Sequence, residues 1–451
     1  MERNFVNVIA LGFGFMFLFT AFQTMGNIEK TILDSIAADD PTFKGDGYTS
    51  LAVIYGVLAI CNWLAPSALS ICGPRGAMFI GSITYCLFMV SFLWPQTWLL
   101  YAASGVLGVG AALIWTGQGT YLSNCSDSTT ISRNSGVFWA MLQASMFLGN
   151  LFVYFQFQGK THIDLETRQL VFGVLIGVAV IGIIFLATLR KSSTSVHRSI
   201  ENIRKEEIHD GGEQDGITDA FKKAINLFFT SRMLLLSLTF IYTGLELSFF
   251  SGVYSPSIGF TLSLGESSKQ LVGLSGICIG IGEVSGGVLF GLLGSKTNKF
   301  GRDAIVIAGF VVHIVSFILI FLNLPDSAPF GDTKETAFLN PPIASLALLC
   351  SFLLGFGDAC FNTQIYAMLG GEFAKNTAAA FALFKFTQSV AAAASFIYSS
   401  HIGLSVQMGI LIVTGIIGTA CFCIVEWSCR RQKARDSVGA AAKLNAEIHS
   451  D

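Results

Sequence analysis

Apolar residues in this chain are grouped into twelve stretches, each about as long as one bilayer crossing. A helix needs roughly 20 apolar residues to cross hydrocarbon, and in lipid only helices and closed barrels satisfy their own backbone hydrogen bonds. The pattern therefore predicts an all-α membrane protein with twelve transmembrane helices. The predicted spans are Phe5–Met25, Tyr48–Ile71, Ala77–Trp94, Trp98–Tyr121, Asn134–Phe157, Leu170–Leu189, Met233–Tyr254, Gln270–Leu293, Ala304–Leu322, Ile343–Leu369, Thr377–Ser399 and Leu404–Trp427.

The spans form two groups of six around a charged segment at Arg190–Arg232. We predict an N-terminal six-helix half at residues 1–190 and a C-terminal six-helix half at 232–429. A cytosolic linker at 191–231 joins them, and a cytosolic tail follows at 430–451. Two six-helix halves with a long middle loop resemble the major facilitator superfamily of transporters. The layout by itself names no substrate.

Composition agrees with a chain that lies almost entirely in or beside a lipid bilayer. Hydrophobic residues make up 52% of the chain and charged residues 12%, about half the ~25% charged share of soluble domains. The sequence contains no basic domain that would bind nucleic acid. It also lacks a phosphate-binding loop, a His/Glu metal pattern and a Gly-x-Ser-x-Gly elbow. We therefore expect no enzymatic activity, no cofactor and no bound metal.

The distribution of Lys and Arg predicts the orientation in the membrane. On alternating loops, twenty of these residues lie on the side of both termini and six on the other side. Because cytoplasmic loops carry the excess of positive charge, both termini and the middle loop are predicted to be cytosolic. The sequence does not select which membrane holds the protein.

Cysteines and glycosylation signals fit this topology. None of the ten cysteines falls in an outward loop, and disulfides form on the oxidising side of a membrane, so we expect no disulfide. The one Asn-x-Ser/Thr match, Asn124-Cys125-Ser126, lies on the cytosolic side. We therefore expect no glycosylation.

The two halves carry matching residues in the same order. Thr20 and Gln23 in span 1 match Thr243 and Glu246 in span 7, at an offset of 223 residues. Shorter matches join spans 4 and 10 and spans 5 and 11, and a longer loop between spans 9 and 10 explains much of their larger offset. Transporter folds are often built from repeats, and this order predicts a duplication.

Ionisable groups inside a membrane span are costly and are functional candidates by default. The first half has none within its predicted spans, whereas the second half has Glu246, Glu283, Asp358 and Lys385, with His313 as a weaker case. At ~1.5 Å per helical residue, Glu283, Asp358 and Lys385 share one layer, so Lys385 is able to pair with either carboxylate. These groups predict a substrate or proton pathway, with a purely structural ion pair as the alternative. For His313 we predict a hydrogen-bonded packing role.

Five blocks of sequence resemble the Unc-93-like branch of the major facilitator superfamily. They are FMFLFTAFQTMGN at 15–27, GYTSLAVIYG at 47–56, RNSGVFWAMLQASMFLGN at 133–150, YTGLELSFFSGVY at 242–254 and GLSGICIGIGEVSGG at 273–287. The resemblance implies a multi-pass membrane protein whose own substrate is not established. It also implies relatives that regulate a potassium channel or escort innate immune receptors out of the endoplasmic reticulum.

In major facilitator folds spans 1, 4, 7 and 10 line a central cavity, so the resemblance implies that Gln23, Gln118, Glu246 and Asp358 face it. For the two amides, hydrogen bonding between helices is an open alternative to substrate contact.

The sequence is therefore consistent with two functions. The leading hypothesis is movement of a small solute by alternating access, with proton coupling through Glu246 and Asp358 and with Lys385 paired to a carboxylate. The alternative is a non-transporting regulatory or trafficking partner of an ion channel or receptor. In the loop between spans 8 and 9 the superfamily signature is incomplete, since Gly301-Arg302 is present but Ser295 stands where an Asp is usual.

Overall fold

A computed structural model describes residues 3–126, 131–160, 162–191, 224–265, 267–292, 301–373 and 376–448. Most of the predicted cytosolic linker lies outside these residues, as does Ser295. Within them the chain is helical, apart from turns, loops and one isolated β-bridge between Thr261 and Thr333.

The described residues form twelve long helices, numbered in chain order. They are α1 (Arg3–Asp39), α2 (Gly47–Cys61), α3 (Ala65–Ser91), α4 (Thr97–Asn124), α5 (Ile131–Gln156), α6 (Leu165–Ala187), α7 (Ser231–Phe260), α8 (Gln270–Leu292), α9 (Arg302–Asn323), α10 (Ala344–Glu372), α11 (Thr377–Ser399) and α12 (Leu404–Ile448).

Ten of these helices are long and apolar enough to cross a membrane. The other two supply the second and third crossings. The helix α2 is a shorter apolar helix, and α3 changes direction at Gly73, whose φ of 68° interrupts the helical path. The part of α3 before Gly73 continues the second crossing, and the part from Pro74 begins the third. The prediction of twelve membrane helices is therefore confirmed.

The first helix is longer than the sequence pattern predicts. It spans 37 residues, whereas the predicted span ended at Met25. Buried isoleucines continue at helical spacing beyond that point, at Ile28, Ile32 and Ile36, so the helix continues through charged positions that interrupt the apolar run. The prediction that the first half has no ionisable group within its spans is therefore wrong, because Glu29 lies inside α1.

The two sets of six helices pack in the same way. In the first set α1 contacts α5 and α6, α4 contacts α2 and α3, and α3 contacts α6. The second set repeats every one of these pairs: α7 contacts α11 and α12, α10 contacts α8 and α9, and α9 contacts α12. The sets meet mainly through α2 with α11 and α5 with α8. This repeated pairing is what a duplicated half would produce.

Twelve crossings place both termini at one end of the bundle, here called the terminal face; the opposite end is the distal face. At the distal face the halves touch directly. The distal end of α1 packs against the π-helical segment Phe249–Tyr254 of α7. The Tyr48 hydroxyl donates a hydrogen bond to the Pro329 carbonyl (2.9 Å), and the Ser400 hydroxyl donates one to Asp46 (3.1 Å). The two halves are therefore closed against each other at the distal face.

The last helix also exceeds its predicted span. It was expected to end at Trp427, but α12 continues to Ile448 and is 45 residues long. The predicted tail is therefore helical through Ile448.

Candidate functional site

Two carboxyl groups from different helices lie next to each other in the second half. Glu246 comes from α7 and is 0% exposed, and Asp358 comes from α10 and is 7% exposed. The two carboxyl groups are close enough to interact electrostatically. Asp358 accepts a hydrogen bond from the Asn362 amide at 2.7 Å, whereas the oxygens of Glu246 have no hydrogen bond of normal geometry from any described residue. A buried acidic pair thus forms where α7 and α10 meet.

His313 of α9 is the third member of this group. Its Nε2 lies 3.3 Å from Glu246 Oε1 and 3.1 Å from the carbonyl oxygen of Leu354. Its Nδ1 lies 2.6 Å from the Tyr242 hydroxyl. A neutral ring that donates from Nε2 and accepts at Nδ1 satisfies both hydrogen bonds. The predicted hydrogen-bonded role of His313 is present, and its contact with Glu246 was not foreseen.

Glu283 joins the acidic group from α8. It is nearly buried and accepts a hydrogen bond from the Gln143 side chain of α5, which belongs to the other half. It also lies close enough to Asp358 for the two carboxyl groups to interact electrostatically. The predicted site residues Glu246, Asp358 and Glu283 therefore come together.

Lys385 does not form the ion pair that the sequence suggested. Among the described residues, no carboxylate lies within 4.0 Å of its ammonium group. The ammonium donates instead to Gln388 Oε1 at 3.0 Å and lies over the rings of Phe384 (4.8 Å) and Tyr366 (5.7 Å). These aromatic faces attract the cation, so Lys385 is held without a carboxylate partner in the described part of the chain.

The two amide candidates lie in the first half. Gln23 of α1 accepts a hydrogen bond from the Ser145 hydroxyl of α5, so the contact between helices that was left open at the sequence level is present. Gln118 is buried on α4. Neither amide belongs to the acidic group.

Sequence reasoning missed Glu29. This side chain is 0% exposed, and neither carboxyl oxygen has a hydrogen-bond partner of normal geometry among the described residues. The hydroxyl of Ser50 lies beside it but bonds with Ser104 at 2.9 Å. The signal in the sequence was the isoleucine spacing beyond Met25, which continues the helix and places Glu29 in the interior.

An ion cluster lies at the distal face close to Glu29. The Lys30 ammonium contacts Asp34 at 2.8 Å and Asp46 at 2.9 Å. Burial alone would raise the pKa of Asp46, but the Lys30 charge and hydrogen bonds from Thr49 hold this pKa below its ordinary value. Because Asp46 also accepts the bond from Ser400, the cluster connects the two halves.

A second ion network fixes the terminal face of the second half. Arg302, the arginine of the Gly301-Arg302 signature, bonds to Glu426 of α12 at 2.7 Å and to Glu372 of α10 at 2.9 Å. Arg430 contacts Glu426 in turn, at 2.9 Å. The network ties the start of α9 to α10 and α12, so the arginine of the signature has a structural role here although the preceding acidic position is absent.

No group of three or more His, Cys, Asp or Glu side chains in the described part of the chain is placed to hold a metal ion.

The repeated six-helix packing and the two contacting helix pairs between the halves are those of a major facilitator-type membrane protein. Solved transporters share the fold. The chain aligns over 93% of its length with a peptide transporter POT in complex with sulfate, covering 95% of that chain (TM-score 0.65, 14% identity). It aligns over the same share with a mutant of the nucleoside transporter NupG, covering 99% of that chain (TM-score 0.62, 14% identity). At such identities the likeness concerns the fold alone.

The family is shown by sequence. The family model described as "Ion channel regulatory protein UNC-93" matches residues 40–423, and the chain belongs to the UNC-93 family. It is 44% identical to the UNC93-like protein MFSD11 of Xenopus tropicalis, over 97% of this chain and 99% of that protein. It is 25% identical to the human Protein unc-93 homolog A, over 98% of each chain. The resemblance seen in the sequence blocks is confirmed.

Proposed function

We propose that this protein moves a small solute across its membrane by alternating access and couples that movement to protons. The observation that carries the proposal is the buried acidic group of Glu246, Asp358 and Glu283. These carboxyl groups come from three helices, and no Lys or Arg of the described residues lies within ion-pair distance of them. The nearest ring nitrogen belongs to His313, which is neutral in the tautomer described above. Ionisable side chains inside a membrane span are costly to bury and are therefore candidates for a functional site.

The proton chemistry follows from the geometry. Two adjacent carboxylates in a low-dielectric interior cannot both stay ionised at neutral pH, so the pair of Glu246 and Asp358 holds at least one proton. In the tautomer that donates from Nε2, the His313 ring lies 3.3 Å from Glu246 Oε1 and is placed to donate a hydrogen bond to this carboxyl when it is ionised. Loss of the proton places two adjacent negative charges between α7, α9 and α10, and their repulsion disfavours the packing seen here. Protonation and conformation are thereby linked.

Alternating access requires a second conformation, because the distal face is closed in this structure. In the conformation that opens the distal face, the hydrogen bonds of Tyr48 with Pro329 and of Ser400 with Asp46 must break. The helix pairs α2 with α11 and α5 with α8 join the halves and are the natural pivots. The two six-helix halves, 1–190 and 232–429, would move as units, with 191–231 as the linker. In this proposal Gln23, Gln118 and Lys385 contact the solute.

We further propose that both termini, the linker and the tail at 430–451 face the cytosol. The support is the excess of Lys and Arg on that side of the predicted topology.

Transport assays on the purified protein in liposomes test the function. The liposomes are challenged with amino acids, dipeptides and nucleosides at external pH 5.5 and 7.5. At least one solute should accumulate faster at the acidic pH, and the E246Q/D358N variant should lose this pH dependence. The control variant E166Q/D40N removes two exposed carboxylates and should behave like the wild type. Uptake and pH dependence that survive E246Q/D358N would refute the site assignment.

A second candidate function is a regulatory or trafficking role with a channel or receptor. It is favoured by the description of the matching family model as an ion channel regulatory protein. Affinity purification in mild detergent with mass spectrometry separates the two. A stoichiometric membrane-protein partner that stays bound to E246Q/D358N would favour the regulatory role. A protein without such a partner would favour transport.

A further inference from the structure

Where α12 leaves the membrane at the terminal face, one side of the helix forms a shallow concave site. Its cavity is about 440 Å³ and is lined by Ile424, Trp427, Ser428, Arg431, Gln432 and Arg435. These positions are three, four and seven residues apart, so they share one face of the helix. Along that face the side chains change from apolar to cationic as the helix passes into solvent.

The two arginines of this site differ from their neighbours in having no acidic partner among the described residues. On the other side of the helix, Arg430 bonds to Glu426 and Asp303, and Lys433 bonds to Glu372. Arg431 and Arg435 are exposed and form no ion pair with any residue in the described ranges. The positive charge of the site is therefore left uncompensated by the part of the chain that the structure describes.

Trp427 indicates where the site lies relative to the membrane. It is about half exposed, and its Nε1 donates a hydrogen bond to Asp303 at 2.8 Å, which fixes the ring at the start of α9. Tryptophan is enriched at the boundary between hydrocarbon and headgroups. Ile424 and Ile417, on the membrane side of the ring, are also about half exposed. The arginines, beyond the ring, stand at headgroup level.

We propose that this site binds the headgroup of an anionic phospholipid from the leaflet at the terminal face. The planar guanidinium groups of Arg431 and Arg435 would contact the phosphate through paired hydrogen bonds. The Trp427 ring would cover the glycerol region, and an acyl chain would follow Ile424. A lipid fits better than free phosphate, because exposed apolar side chains of α12, among them Ile424 and Ile417, adjoin the two arginines on the membrane side.

Native mass spectrometry of the full-length protein in detergent tests the proposal. The protein is titrated with phosphatidylserine and, separately, with phosphatidylcholine of identical acyl chains. Phosphatidylserine should bind preferentially, and R431Q/R435Q should weaken its first binding step about thirty-fold. R431K/R435K keeps the charge but loses the paired hydrogen bonds and should fall in between. K44Q/K334Q removes two exposed cations at the distal face and should bind phosphatidylserine like the wild type.

The melting temperature of each variant shows whether it is folded, and unfolded variants are replaced by the single substitutions. Equal binding of the two lipids, or unchanged phosphatidylserine binding by folded R431Q/R435Q, would overturn the proposal. So would inorganic phosphate that binds the wild-type protein and displaces the lipid completely, since the site would then be a phosphate site without lipid selectivity.

Discussion

Gly357 is a residue whose identity is set by the acidic site. A Cβ atom at this position would lie far inside van der Waals contact with His313 Nε2. His313 cannot easily shift, because it is held by Tyr242 and by the carbonyl of Leu354. The small residue in α10 is therefore what lets the imidazole reach Glu246.

We predict that G357A destabilises the protein by about 1–3 kcal/mol, the usual cost of overpacking a well-packed interior. Thermal melting in detergent measures the effect. The matched control is G370A in the same helix, where a Cβ would meet no atom within 4 Å; it should melt like the wild type. Equal melting temperatures for the two variants would mean that His313 does not occupy this position.

Glu29 should be uncharged in the folded protein, because an ionised carboxylate without a partner is very costly in a buried site. We predict that E29Q, which mimics the protonated acid, keeps the wild-type melting temperature, whereas E29K prevents folding. Infrared spectroscopy provides the direct readout. The wild type should show a protonated-carboxyl band that E29Q lacks, and a spectrum unchanged by E29Q would contradict the prediction.

At this scale the sequence predicted part of the site. Glu246, Asp358 and Glu283 were identifiable because charged residues stand out in apolar spans. The missing ion pair of Lys385 was not predictable, since helical depth gives the layer of a side chain but not its direction. The two rings beneath its ammonium come from different helices, α10 and α11.

At the scale of the helices, a break in regular α-helical hydrogen bonding lies next to the acidic group. A π-helical segment follows Glu246 by three residues in α7, and π-bulges inside α-helices are frequent at functional sites. Gly252 in this segment packs on the ring of Phe396. The sequence predicted the span but not its irregularity, because the segment packs against α1, which is distant in sequence.

The Arg302 network joins three helices that are distant in sequence. We predict that R302Q destabilises the protein by about 2–3 kcal/mol, because it leaves Glu372 and Glu426, both nearly buried, with fewer partners. Arg430 and Lys433 still compensate them in part, which keeps the loss below that of a fully broken buried pair. Thermal melting measures it, with K44Q as the control for loss of one positive charge. A melting temperature equal to that of K44Q would argue against the network.

Two helix boundaries could be predicted because a glycine with positive φ marks each of them. Gly73 and Gly301 both have positive φ and both precede a new helix at the terminal face. Each is followed closely by an arginine, Arg75 or Arg302. The end of α1 was predicted wrongly, because Glu29, Lys30 and Asp34 interrupt the apolar repeat and look like the end of a span.

At the scale of the whole molecule, the distal ion cluster holds the halves together. Asp46 is its centre, since it bonds to Lys30 of its own half and to Ser400 of the other. The pKa of Asp46 lies below its ordinary value of 3.8. Its contribution to stability is therefore fully present above about pH 4 and is lost as the pH falls through the lowered pKa of the folded state.

We accordingly predict that D46N costs about 1–2 kcal/mol of stability at pH 7. The difference from the wild type should disappear as the pH falls below 4. Melting curves across this pH range measure both. A deficit of D46N that is independent of pH would show that the charge of Asp46 does not contribute.

The overall architecture could be predicted because the membrane restricts a chain of this composition to helices and because the halves repeat. The contacts between the halves could not, since they depend on single hydrogen bonds such as that of Tyr48 to Pro329. These connect residues almost 300 positions apart, and nothing in the local sequence pattern marks them.

Liposomes loaded with a pH-sensitive dye show whether protons move together with the solute. The wild-type protein is challenged with the amino acid, dipeptide and nucleoside panel at equal pH on both sides. We predict that at least one solute acidifies the lumen as it enters, and that E246Q/D358N abolishes the acidification while E166Q/D40N does not. Solute entry by the wild type without any change in luminal pH, or acidification that persists in folded E246Q/D358N, would contradict the account.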